Sequence, residues 1–162
     1  MDFTHLHLLL NHFPVIGTLI GIGMMAFALY KKEGQLQRAV LVLWLILAAL
    51  TPIIMNTGEE AEDTVENITG INEFALHEHE EAAEYAFWLM IGLGVLSLAA
   101  LTLYKMQSNI YKITVFCFVL SLITFTAMAR TGYLGGLIRH TELNSSAKLE
   151  MPLENSENNE SH

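Results

Sequence analysis

Positive charge is scarce in this chain. Of its 162 residues only eight are Lys or Arg, against seventeen Asp or Glu, and the formal net charge is −9. Phosphate recognition needs clustered Lys and Arg, so a nucleic-acid binder is disfavoured. Cysteine is scarcer still: Cys117 stands alone, which removes any disulfide framework. Charge of either sign is low, at 15% of residues, where a soluble globular domain carries about 25%. Apolar residues make up 52% and the mean hydropathy is +0.40, so disorder fails for most of the chain. A membrane protein remains, with charged and apolar residues segregated along the sequence.

A membrane-crossing helix needs about 20 mostly apolar residues. Four stretches qualify: Leu8 to Tyr30, Ala39 to Met55, Ala82 to Tyr104 and Ile110 to Ala129. The first is read as a retained span and not as a secretory signal, because Asp2 stands where a signal carries positive charge and the apolar run is too long. The expected fold is an all-α, integral membrane four-helix antiparallel bundle.

Lys31, Lys32 and Arg38 flank the first short loop, and Lys105 and Lys112 the second. Short basic loops mark the cytoplasmic side. The long loop 57–81 has neither Lys nor Arg, so it and both termini are expected to face outward. Of the seventeen acids only Glu33 lies in a basic loop. Most of the others gather at Glu59-Glu60-Ala61-Glu62-Asp63, at Glu78-His79-Glu80-Glu81 and in the tail, where a solvated face is the plain reading. Residues 1–142 form the expected membrane domain, and 143–162 an expected disordered, polar, acidic tail. Asn67-Ile68-Thr69 and Asn144-Ser145-Ser146 are glycosylation-type triplets that say nothing without the host.

All seven histidines, His5, His7, His12, His77, His79, His140 and His162, fall on that same side. Histidine ligates metals and haem iron. His5 and His12 are seven apart and share a helical face, while His7 points elsewhere. His12 lies within the apolar run, where an ionisable group is costly and marks a site; the alternative is a neutral ring satisfied by a carbonyl or by Asn11. Of His77 and His79 only one can face inward, and His79 is preferred because Ala82, Ala83 and Ala86 follow on its face. Those alanines leave room for a macrocycle or serve close helix packing. Gly136 precedes His140 by one turn and leaves space there. Arg130 and Arg139 would neutralise haem propionates, or else anchor a helix end.

Counting up from the inner helix ends puts His5 level with His79, and His12 lower than either. Pro14 is expected to re-aim the outer part of the first span. A faint internal repeat, with a histidine opening each half and Thr57-Gly58 and Thr131-Gly132 closing each, suggests parallel two-helix units about an axis along the membrane normal. Gly17 with Gly21, and Gly92 with Gly94, read as packing points. So do the methionines, though Met55 or Met128 could lie near a site.

The run His5-Leu6-His7-Leu8-Leu9-Leu10-Asn11-His12-Phe13-Pro14-Val15-Ile16-Gly17 resembles the His-Phe-Pro opening of a bacterial group of small four-span proteins, the domain of unknown function 2231. Thr57-Gly58, His79 and Gly135-Gly136 look similar to its other marks, and the likeness covers residues 5 to 142. The resemblance implies a bacterial inner-membrane protein with a b-type haem or redox role.

The leading expectation is a membrane-bound b-type cytochrome-like electron-transfer protein holding haem b. His12 and His79 are its axial ligands, with His140 and His5 as substitutes. Arg130 and Arg139 face the propionates, and Asn11, Glu80 and Glu142 orient the imidazoles. Quinone and a periplasmic redox protein are the expected partners. The rival is a divalent-metal site for Zn, Mn or Fe, in which Glu73, His77 and Glu81 form a helical ridge with nearby carboxylates. A third reading is a structural subunit of a larger complex or homo-oligomer. No nucleophile–base constellation, phosphate loop or paired cysteine motif is present.

Overall fold

The computed structural model describes residues 9–65, 73–105 and 111–150, with side chains over 9–58, 76–104 and 111–137 and at Phe74. Its four helices are α1 (His12–Lys31), α2 (Gly34–Val65), α3 (Glu73–Lys105) and α4 (Tyr111–Glu150), with no strand among the described residues. Each helix packs against the next, and α4 returns to α1, closing a four-membered ring. His12–Lys31, Gly34–Gly58, Leu76–Tyr104 and Tyr111–Leu137 are each long and apolar enough to cross a membrane. The chain is a multi-pass membrane protein built as an antiparallel four-helix bundle. The end of α1 with the start of α2, and the end of α3 with the start of α4, carry Lys31, Lys32, Arg38 and Lys112 and lie at what we call the basic end. The start of α1, the end of α2 and the start of α3 lie at the acidic end.

The helices outrun the apolar stretches. α2 begins before Ala39 and continues through Glu59 to Val65, and α3 begins at Glu73, well before Ala82. Hydropathy marks only the part of a helix that meets lipid, and Glu and Ala are good helix formers beyond it. The expected loop 57–81 is therefore helical over both its flanks. α4 likewise carries on into the polar segment after Leu143, and residues 151–162 lie outside the described residues.

Local chemistry fixes the ends. Pro14 falls in the first turn of α1, where its missing N–H has no intrahelical partner to lose. At the other end Lys32 takes the left-handed conformation (φ 58°). The Glu33 N–H then reaches the Ala28 carbonyl at 2.9 Å and the Lys32 N–H reaches Leu29 at 3.3 Å, the paired bonds of a Schellman stop. Gln37 Nε2 also donates to the Ala28 carbonyl, at 3.3 Å, and the Tyr104 hydroxyl donates to Gln37 Oε1. This ties α3 to the α1–α2 turn.

Lipid gives apolar side chains no reason to leave it, so packing and close backbone approach must hold the bundle. Glycine supplies the approach at three places. A Cβ on Gly17 would lie 2.8 Å from Leu47 Cδ1, one on Gly21 would overlap the Trp44 indole, and one on Gly94 would overlap Ala48 Cβ. Gly23 and Gly92 face open space. Trp44, Met25, Leu41, Met90 and Leu93 are wholly buried and fill the middle of the bundle. Outside, Ile20, Phe27, Ile46, Val95, Leu98 and Phe116 are exposed, an apolar girdle that water would not tolerate but lipid accepts. Tyr30 and Tyr111 ring the basic end, and Tyr85 and Trp88 stand exposed towards the other. Tyr85 is about 30 Å up α3 from Lys105 at 1.5 Å per residue, which matches the hydrocarbon core of a bilayer.

Candidate functional site

Towards the acidic end, α3 and α4 meet at one histidine. His79 is half-buried, and its Nδ1 lies 3.0 Å from the Thr131 carbonyl oxygen. A carbonyl has no hydrogen to give, so Nδ1 carries the proton and donates, leaving the Nε2 lone pair as the ring's free coordinating position. The imidazole lies close against α4 because Gly135, one turn beyond Thr131, has no side chain. A Cβ there would come within 3.1 Å of His79 Cε1. The Thr131 hydroxyl is turned away and donates to the Ala127 carbonyl at 3.1 Å. Metal-ligating histidines almost always give their other N–H to a carbonyl or carboxylate in this way, which fixes tautomer and ring plane together.

Charged groups surround this node. Arg130 Nη2 donates to Glu78 Oε2 at 3.3 Å, a second tie between α3 and α4. Arg130 is thus held by a carboxylate of its own chain. His77 is two-thirds exposed and pairs with Glu81 at 3.3 Å and with Glu80 at 3.8 Å on its own helix. Its preferred orientation is outward, as expected from the two-residue offset to His79.

Below Arg130 an open groove of about 320 Å³ runs between α3 and α4, lined by Ala82, Tyr85, Ile123, Thr126, Ala127 and Arg130. Ala82 and Ala86, under His79, are buried; the small-residue stripe serves close helix packing. The middle of the bundle is filled by Trp44 and its neighbours.

The remaining expected site residues divide by position. His12 is exposed at the start of α1, and Asn11, preceding it, has helical dihedrals and makes no side-chain capping bond. At 1.5 Å per residue His12 stands about 28 Å up α1 from Lys31, and His79 about 39 Å up α3 from Lys105. α1 finds its packed neighbours in α2 and α4, so the structure does not bring His12 and His79 together. His5 lies outside the described residues, as do the side chains of Glu73, Arg139, His140 and Glu142. Gly136 faces open space; the glycine that makes room for a histidine is Gly135. Among the described residues no group of three or more His, Cys, Asp or Glu side chains is placed to share a metal ion.

Two partners of the node carried no separate signal in the sequence. The Thr131 carbonyl is a backbone atom, invisible in residue types. Glu78 read as one of a run of acids. Gly135 was visible only as part of a glycine pair.

These features define a class, a four-span membrane bundle with a tethered histidine towards its acidic end. No protein-family model, curated protein or solved structure matches the chain.

Proposed function

We propose that this protein is a b-type cytochrome-like electron-transfer protein of a bacterial inner membrane, with its acidic end towards the periplasm and with kinship to the four-span group its opening resembles. The observation that carries the reading is the His79 tether. With Nδ1–H committed to the Thr131 carbonyl at 3.0 Å, Nε2 is held as an oriented ligand beside Gly135. Haem, when bound, supplies the one-electron chemistry. The chain would supply the rest: His79 would hold the iron, the Thr131 carbonyl would fix the plane of the imidazole, and Gly135 lets the ring lie close to α4. A second histidine on the iron would leave no open position, which suits electron transfer. The groove under Arg130 is mostly apolar and opens to the outside of the bundle, which suits an isoprenoid quinone. The orientation rests on the basic short loops.

The test is an optical spectrum with metal analysis of the full-length protein purified in mild detergent. A Soret band with split reduced α and β bands is expected. Zinc, manganese or iron bound without a Soret band would favour the His77–Glu81 metal reading, and neither would leave a structural subunit. Reduction by a quinol should slow in Ile123→Trp, which fills the groove; an unchanged rate removes quinone from it. For orientation, an impermeant thiol reagent should label Gly136→Cys in spheroplasts and Lys112→Cys only after lysis. The native Cys117 is wholly buried. The opposite pattern would invert the protein in the membrane.

A further inference from the structure

The buried faces of the two halves of the chain repeat in register. In α1 the buried positions are Pro14, Thr18, Gly21, Met25 and Ala28. Ala86, Met90, Leu93, Ser97 and Ala100 are buried in α3, each 72 positions further on (Pro14 to Ala86, Ala28 to Ala100). In α2 Gln37, Val40, Trp44, Leu47 and Thr51 are buried, and in α4 Thr114, Cys117, Ser121, Thr124 and Met128, each 77 positions further on (Gln37 to Thr114, Thr51 to Met128). The ring of packed pairs has the same symmetry: α1 with α2 answers α3 with α4, and α2 with α3 answers α4 with α1. The α1–α2 face is therefore an internal control for the α3–α4 face. The Thr-Gly pairs that first suggest the repeat are not its true register, since Thr57 corresponds to Leu134.

The groove under Arg130 is where the halves differ. Its apolar lining, Ala82, Ile123 and Ala127, corresponds to Leu10, Ile46 and Leu50, apolar again. Its three polar side chains, Tyr85, Thr126 and Arg130, correspond to Phe13, Ala49 and Ile53, all exposed and all apolar. An interfacial Tyr or a snorkelling Arg is ordinary taken singly. Depth alone does not require them here, since Arg130 and Ile53 stand at one height, each about 28 Å up its helix from Tyr111 or Gly34.

The chemistry of the three is complementary. Thr126 Oγ1 gives its proton to the Leu122 carbonyl at 2.9 Å, so towards a ligand it accepts. Arg130 donates through a guanidinium with five N–H groups, of which Glu78 engages Nη2 at 3.3 Å. Tyr85, from α3, brings a phenol that can do either. Glu78 also balances the charge of Arg130, so a phosphate head would meet a carboxylate beside the guanidinium, whereas a neutral head would not. Arg130 follows Thr126 by one turn, with Cβ atoms about 5–6 Å apart, and a para-quinol ring carries its two oxygens across about the same span. Ile123, a turn further down, continues the groove as an apolar path for a tail.

We propose that the α3–α4 groove is a quinol head-group site, in which Arg130 donates to one ring oxygen, Thr126 Oγ1 accepts from the hydroxyl at the other end, and the Tyr85 phenol closes the α3 side. The α1–α2 face, with Phe13, Ala49 and Ile53 in their places, is not such a site. Quinol as the occupant rests on the electron-transfer reading, whereas the choice of this groove over its counterpart rests on the register and the three polar side chains.

The test is photolabelling of the full chain in mild detergent with an azidoquinone analogue, the labelled peptides being read by mass spectrometry. Label is expected on the α3 and α4 segments around Tyr85 and Thr126, and a short-chain quinol should compete it away. The triple variant Tyr85→Phe, Thr126→Ala, Arg130→Ile installs the side chains that the same scaffold already carries at Phe13, Ala49 and Ile53. It should keep its helicity and lose labelling about tenfold or more, as the loss of two or more hydrogen bonds predicts. Tyr85→Phe and Thr126→Ala, which each remove one hydroxyl, should each weaken labelling a few-fold and give the same reading should the triple variant unfold. Undiminished labelling in these variants, or equal labelling of α1 and α2, overturns the site. Phosphatidylglycerol that displaces the probe where the quinol does not would make the groove a phospholipid site and overturn the quinol. The optical spectrum, recorded on the same samples, keeps the two readings apart. Labelling of the groove without a Soret band upholds the site and refutes haem, and a haem spectrum without labelling refutes the site and leaves haem standing.

Discussion

Replacing Gly94 by alanine separates close helix packing from helix propensity. A Cβ on Gly94 would overlap the Cβ of Ala48 on α2. Both atoms are fixed to their backbones, so no side chain can rotate aside and the helices themselves must part. Carbon atoms in good contact sit about 3.5–4.0 Å apart, and overpacking of this kind costs about 1–3 kcal/mol. Against it stands the intrinsic gain of alanine over glycine in a helix, about 1 kcal/mol. Gly92, two residues away on the same helix, meets nothing within 4 Å, so Gly92→Ala collects that gain alone. The propensity term cancels between the two variants. Gly94→Ala should therefore be less stable than Gly92→Ala by about 1–3 kcal/mol. Unfolding in mixed micelles of mild detergent and dodecyl sulfate, followed by helicity and by the fluorescence of Trp44 and Trp88, measures the difference. The double variant Gly94→Ala with Ala48→Gly should recover most of the loss, as coupled neighbours do. Equal stability of the two single variants would mean that α2 and α3 do not touch at this point.

Other substitutions probe other parts of the structure. Thr18 Oγ1 is buried with no hydrogen-bond partner among the described residues. Thr18→Val should raise stability by about 1 kcal/mol in the same assay, and a loss would show that the hydroxyl is satisfied. Tyr104→Phe removes the hydroxyl that donates to Gln37 and should cost about 1 kcal/mol; no change would mean that this tie contributes nothing. Gly135→Ala pushes a Cβ to within 3.1 Å of the His79 ring and should raise the reactivity of His79 towards diethylpyrocarbonate, whereas Gly136→Ala should leave it unchanged. Equal effects would contradict the close packing of the ring against Gly135.

The four spans are plain in the sequence because length and hydropathy are all that a bilayer asks of a helix. Gly17, Gly21 and Gly94 are legible as packing points for a similar reason, whereas Gly92, read in the same way, faces open space. The rotation of α1 was not legible. An apolar residue may face lipid or protein at equal cost, so a membrane helix lacks the polar stripe that sets the phase of a soluble one. Spacing alone puts His5 with His12 on one face and His7 on the other, without saying which face is buried. The buried set Pro14, Thr18, Gly21, Met25 and Ala28 decides it, and His12 falls outside that set. His79, preferred from the alanines that follow it as the histidine that faces inward, is half-buried against α4. Its acceptor was not foreseen, because a hydrogen bond to a backbone carbonyl leaves no trace in residue type.

The central claim is that the His79 imidazole, oriented by Thr131, is a haem ligand. The reduced-minus-oxidised spectrum of His79→Gly, recorded with and without imidazole in the buffer, tests it most directly. The account predicts a low-spin spectrum in the wild type, its loss in His79→Gly, and its return when free imidazole occupies the space beside Gly135. A wild-type spectrum that persists in His79→Gly without imidazole would contradict the claim.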